Sequence, residues 1–129
     1  MNARILLIED NEQNRYLATF LLEQHGHIVT HAPDGPTGVA RAGQKSFDLI
    51  LLDIQLPGMD GYALARALRA NPALAAVPIV AVTSYAMVGD REKALAAGCT
   101  GYIEKPINPD TFVAEIERHL PPNTKEATP

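Results

Sequence analysis

The sequence predicts one α/β domain built on a parallel sheet. Strand and helix patterns alternate five times along the 129 residues. The central strand segments are unbroken apolar runs, as expected of strands covered on both faces. Each run ends in residues able to do chemistry, and in an open parallel sheet those ends share one rim.

The elements follow in order. Arg4 to Ile8 is a buried strand ending in Glu9-Asp10. Asn11 is suited to cap the next helix. Tyr16, Leu17, Phe20 and Leu21 there repeat at helical spacing and predict its apolar face. Gly26 closes that helix. His27 to His31 reads as a short, more polar edge strand. Asp34-Gly35 turns the chain into a weak helix of small residues reaching Gly43. Leu49 to Leu52 then runs straight into Asp53, and Leu56-Pro57-Gly58-Met59-Asp60-Gly61 turns into a helix to Ala70. Leu64, Ala65 and Leu68 should face its core, and Asn71-Pro72 stops it. Ile79 to Val82 is the fourth strand, ending at Thr83-Ser84. A loosely held helix is expected from an Asp90 cap through Ala97, closed by Gly98. Gly101 to Glu104 is the last strand, followed at once by Lys105-Pro106. The final helix is expected from Asp110, with Phe112, Val113, Ile116 and Leu120 on one face, and Pro121-Pro122 ends it. The domain therefore covers 1–121, and 122–129 is expected to be a disordered tail.

Composition narrows the function classes. Hydrophobic residues make up 47% and charged residues 20%, which suits a globular domain. No apolar run approaches a membrane span, so no membrane insertion is expected. The start is no signal peptide, because Glu9-Asp10 cuts its short apolar run. Cys99 is the only cysteine, which leaves no internal disulfide or cysteine-built zinc site and makes a reducing cytoplasm the simplest home. It reads as a small buried hydrophobe. The net charge of -4 and the lack of a basic run argue against nucleic acid as a direct partner. His25, His27, His31 and His119 read as surface or strand residues without a metal role.

The strand ends collect Glu9, Asp10, Asp53, Thr83 and Lys105. Singly, each has a bland reading as loop charge, β-former or surface residue. Together they share one rim. Two carboxylates ~4 Å apart repel by ~4 kcal/mol at an effective dielectric near 20, so raised pKa values or a bound cation must offset them. Oxygen donors without nearby histidine or cysteine suit Mg²⁺. Lys105 offers a point charge for a phosphate, and Thr83 offers a hydroxyl. The set points to phosphoryl transfer with Asp53 as nucleophile.

Glu9-Asp10, Asp53 with Leu56 to Gly61, Thr83-Ser84 and Lys105-Pro106 resemble the receiver domain of two-component response regulators, over residues 4 to 120. The resemblance implies a flavodoxin-like fold with strand order 2-1-3-4-5. It implies that Asp53 takes a phosphoryl group from a phosphohistidine on a sensor histidine kinase or histidine phosphotransfer protein. Mg²⁺ would be held by Asp10, Asp53 and the Gln55 backbone carbonyl, with Glu9 acting through water. Thr83, Ser84 and Lys105 would bind the phosphoryl group, and the Lys105-Pro106 peptide would be cis. Thr83 and Tyr102 would form a switch that alters the surface of the last helices and strand for a downstream protein target. Such a chain is a phosphoacceptor signalling protein, not an enzyme proper, with self-phosphorylation from a donor and slow self-dephosphorylation.

Leu56 stands where the family often has Met, and Gln55 and Tyr85 border the site at positions that vary. Tyr85-Ala86-Met87 and Asp10-Asn11-Glu12 are similar to single-domain regulators of the DivK kind and to receivers fused to hybrid kinases. A stand-alone regulator is expected, with a receiver excised from a hybrid kinase as runner-up and a non-phosphorylated interaction module as third reading. A phosphatase of the haloacid dehalogenase type fits less well, because Gln55 stands where that family needs a second Asp.

Overall fold

The computed structural model describes residues 2–56, 60–83 and 89–120. Among them, strands β1 (Arg4–Ile8), β2 (Ile28–Ala32), β3 (Leu49–Asp53), β4 (Ile79–Thr83) and β5 (Gly101–Glu104) alternate with helices. The helices are α1 (Glu12–Gln24), α2 (Gly35–Ala42), α3 (Gly61–Arg69), α4 (Asp90–Ala96) and α5 (Phe112–Arg118). All strand pairs are parallel, in the order β2-β1-β3-β4-β5. This is the doubly wound order expected from the sequence. The chain steps outward from β1 to β2, then crosses back to β3, and a crevice opens where those two paths diverge.

Strand parity builds two apolar layers. Leu6, Ile8, Ile50 and Leu52 pack with Leu64, Ala65 and Leu68 of α3 and with Ala42 and Ala94. Ile5, Leu7, Leu49 and Leu51 pack on the other face with Leu22 of α1 and with Phe112, Val113 and Ile116 of α5. Both faces of β1 and β3 are thus covered, which is why those strands lack polar alternation.

Several expectations need correction. Tyr16 and Phe20 do not face the core. They are 69% and 47% exposed, with rings stacked at a 6.2 Å centroid separation. The buried stripe of α1 is Ala18, Leu21 and Leu22. The helix has two apolar stripes, and the sheet takes the one whose small Ala18 permits close approach. Helix α4 starts at Asp90, which is not a cap. Gly89, with φ +93, precedes it, and no side chain among the described residues caps it. Helix α5 starts at Phe112 rather than Asp110, because Asn108 closes a turn there. Its side chain accepts from the Asp110 N–H, and its carbonyl accepts from Thr111 and Phe112. A 3₁₀ turn, Pro72–Leu74, follows α3 and is capped by Asn71. Strand β2 spans Ile28–Ala32, so His27 lies outside it. The expected tail, with Pro121, lies outside the described residues.

His27 is no surface residue, being 3% exposed. Its Nδ1 accepts from the Ala3 N–H at 3.0 Å, and its Nε2 lies 2.9 Å from Glu117 Oε2. Accepting at Nδ1 leaves the proton on Nε2, which therefore donates to the carboxylate. One imidazole thus ties the start of β1 to α5. His27→Ala is expected to destabilise the fold by about 2 kcal/mol, since it strands a backbone donor and a carboxylate. Urea denaturation at pH 7.5 measures this, and an unchanged midpoint would refute the tie.

Candidate functional site

The site is assembled at the carboxyl rim of β1, β3 and β4. The ladder continues one residue past β1, where the Glu9 N–H donates to the Ala32 carbonyl at 3.1 Å. This fixes Glu9 just below the surface, 4% exposed. Its Oε2 accepts from the Asn11 N–H at 3.2 Å, and its Oε1 lies 3.5 Å from Lys105 Nζ. His31 Nε2 donates to the Glu9 carbonyl at 2.9 Å, bracing that residue from β2. Asp10, next in the chain, is exposed at the mouth.

Asp53 ends β3 and is 3% exposed. Its Oδ1 accepts from the Gln55 N–H at 2.9 Å, and its Oδ2 lies 3.3 Å from Lys105 Nζ. The loop after it is held from behind by Gly61. A Cβ there would lie 2.4 Å from the Ile54 carbonyl oxygen, so only glycine lets α3 begin against this loop. Asp60 caps α3 by accepting from the Tyr62 N–H. Thr83 ends β4, buried, with Oγ1 accepting from Gln55 Nε2 at 2.5 Å. The Lys105 N–H donates to the Thr83 carbonyl at 2.7 Å, and the Lys105–Pro106 peptide is cis.

Glu9, Asp10, Asp53, Thr83 and Lys105 are therefore brought to one rim. One carboxylate oxygen from each of the three acids lies within 4.8 Å of the others. Ser84 lies outside the described residues, as do Pro57 to Met59 and Tyr85 to Met87. Tyr102 is on β5, whose register sets it beside Ala81, on the same strand face as Thr83. Its ring packs on the α3 side of the core, and its buried hydroxyl has no hydrogen-bond partner among the described residues. Beyond it, Tyr102, Arg91, Glu104, Thr111 and Glu115 line a cleft of about 490 Å³. Two contacts were missed from sequence, His31 to Glu9 and the Gln55 side chain to Thr83. The only signal for either was position at a strand end.

Three carboxylates face one ammonium, and the cost falls on Glu9. Burial, then a hydrogen bond and charge repulsion from Asp53, push its carboxyl from the ordinary 4.5 up to about 7, against the opposing pull of Lys105. A folded-state pKa above the unfolded value means that the fold prefers the protonated acid. The associated stability is full below pH 4.5 and is lost as pH rises through 7. Without a divalent cation, wild-type stability relative to Glu9→Gln should therefore fall by roughly 2 kcal/mol across that window, after discounting for water at the mouth. Parallel urea titrations from pH 5 to 8 in chelator read the slope. Parallel curves for the two proteins would rule it out.

The family profile described as response regulator receiver domain matches residues 5–117. The chain belongs to the response regulator receiver family of two-component signalling. Among its relatives are the polar-differentiation response regulators DivK of Brucella ovis and Brucella anthropi. Each is 36% identical over 120 residues, spanning 93% of this chain and 98% of the relative. The chemotaxis response regulator CheY4 of Vibrio cholerae superposes with a TM-score of 0.88 at 29% identity, covering 93% of this chain and all of that one. The receiver domain of a sensor histidine kinase from Pseudomonas aeruginosa is 37% identical with a TM-score of 0.83, covering 92% of this chain and 98% of that one. That structure has a magnesium ion coordinated in its active-site cleft. Among the described residues of the present chain, no helix is long and apolar enough to cross a membrane.

Proposed function

We infer that this chain is a phosphoacceptor receiver in a two-component phosphorelay, with Asp53 as the acceptor. The observation that carries this is the setting of Asp53. Its buried carboxylate is held by the Gln55 N–H, lies 3.3 Å from Lys105 Nζ and shares the rim with two further acids. In the transfer, an Asp53 oxygen bonds to phosphorus as the N–P bond of a phosphohistidine breaks. The leaving imidazole nitrogen keeps the electron pair and takes up a proton from water. The donor is a sensor histidine kinase or histidine phosphotransfer protein. Hydrolysis of the acyl phosphate later restores Asp53.

The acid cluster fits Mg²⁺, because its donors are hard carboxylate oxygens and Glu9 is already strained by like charge. Asp10, Asp53 and the Gln55 backbone carbonyl would hold the ion, with Glu9 acting through water. A bound ion supplies charge neutralisation of the carboxylate and phosphoryl oxygens. Lys105 pairs with the incoming phosphoryl group, and Thr83 and Ser84 donate to it. Thr83 and the inward-packed Tyr102 form the switch, which alters the surface of α4, β5 and α5 for a downstream protein. The receiver unit is 1–121, and the cytoplasm is its compartment.

Incubation with acetyl phosphate and Mg²⁺ tests the reading. Intact mass should rise by one phosphoryl group, labile to hydroxylamine and mapped to Asp53. No gain, or a hydroxylamine-stable gain on serine or threonine, would overturn it.

A further inference from the structure

Three polar groups of Glu9 are tied down by other residues. Its N–H donates to the Ala32 carbonyl, its carbonyl accepts from His31 Nε2 at 2.9 Å, and its Oε2 accepts from the Asn11 N–H. The bond from His31 stands where the ladder runs out. The last rung between β1 and β2 joins Ile8 to Ala32, and the chain then leaves through Pro33 to Asp34, which caps α2. An imidazole takes over at the point where the backbone of β2 stops pairing. His31 is itself pinned from α2, because Arg41 Nη1 donates to its carbonyl. The Glu9 carbonyl belongs to the planar peptide that joins Glu9 to Asp10. Two of the three clustered acids therefore hang from one peptide, whereas Asp53 is fixed separately by the Gln55 N–H. Asp10 is exposed, so its aim comes from the backbone rather than from packing.

We propose that His31 is a positioning residue for a divalent cation: its Nε2–H holds the Glu9–Asp10 peptide so that both carboxylates at the end of β1 meet Asp53 around one ion. The proposal rests on the reading of the acid cluster as a Mg²⁺ site. His31 acts through the backbone of Glu9, and the requirement is for an N–H donor at the reach of Nε2. Glutamine carries an amide N–H at that reach, and leucine fills the space with no donor.

The full ¹⁵N-labelled chain is titrated with MgCl₂, and the amide shifts around the rim give the affinity of the folded protein. Urea denaturation in chelator gives stability without the ion. Wild type should bind saturably. His31→Leu should bind Mg²⁺ about five-fold more weakly, the worth of one hydrogen bond, and His31→Gln should return to the wild-type affinity. A role in stability alone would lower the urea midpoint of His31→Leu and leave its affinity for Mg²⁺ unchanged. Equal affinity in all three proteins, or equal weakening in both variants, would overturn the positioning role while leaving the metal site in place. A wild type that binds no Mg²⁺ would overturn both. Should His31→Leu fail to fold, His31→Asn takes its place, because its amide is one methylene short of the Glu9 carbonyl.

Discussion

Asp53→Asn should take up no phosphoryl group and, without divalent cations, should be more stable than wild type. The first effect is chemical, because a carboxamide oxygen is not a nucleophile toward phosphorus under these conditions. The second follows from the charges at the rim. Asp53 is repelled by Glu9 and Asp10 and attracted by Lys105 alone among the described residues. Asparagine keeps an oxygen for the Gln55 N–H and removes the net repulsion. At pH 8 the gain should be about 1–2 kcal/mol, or about 5 °C in melting temperature for a domain of this size. Added Mg²⁺ should then stabilise the variant less than wild type, since one of the proposed ligands is gone. Intact mass and thermal melts in chelator measure both effects. A lower melting temperature would mean that the Lys105 contact outweighs the repulsion from both acids.

The same arithmetic explains why this rim was legible in the sequence. Apolar runs such as Leu49 to Leu52 fix strand ends without any knowledge of partners, and a parallel sheet puts such ends together. Asp10, Asp53 and Lys105 are far apart in sequence, yet their meeting follows from topology alone. What topology does not set is rotation and long-range pairing. Whether α1 buries Tyr16 and Phe20 or Ala18 and Leu22 depends on how near the helix can come to the sheet. His27 reads as an ordinary strand residue until α5 brings Glu117 from 90 positions away. Nothing in the sequence singles out Arg69, which donates to the carbonyls of Leu74, Val77 and Gly98 and clamps the turn after α3 to the turn after α4. The final helix is expected from Asp110, but Asn108 closes a turn there first and the helix starts at Phe112.

Lys105→Met should move stability in the opposite direction to Asp53→Asn, although both act in one pocket. Lys105 Nζ lies 3.3 Å from Asp53 and 3.5 Å from Glu9, and its side chain is 12% exposed. Methionine fills similar space but leaves two buried carboxylates without that cation. Removing one partner from a buried ion pair costs about 3 kcal/mol or more, and that loss is expected in chelator at pH 8. The loss should shrink toward pH 5, because Glu9 takes up a proton and relieves the repulsion. Lys105 holds the Glu9 carboxyl down from an even higher value, so the variant should begin to gain stability from falling pH sooner than wild type does. Mg²⁺ should recover much of the loss at pH 8, since a divalent charge can replace the missing ammonium beside the same oxygens. Urea denaturation at pH 5 and pH 8, with chelator or with Mg²⁺, reads all four corners. An equal loss at both pH values, untouched by Mg²⁺, would mean that Lys105 contributes packing rather than charge.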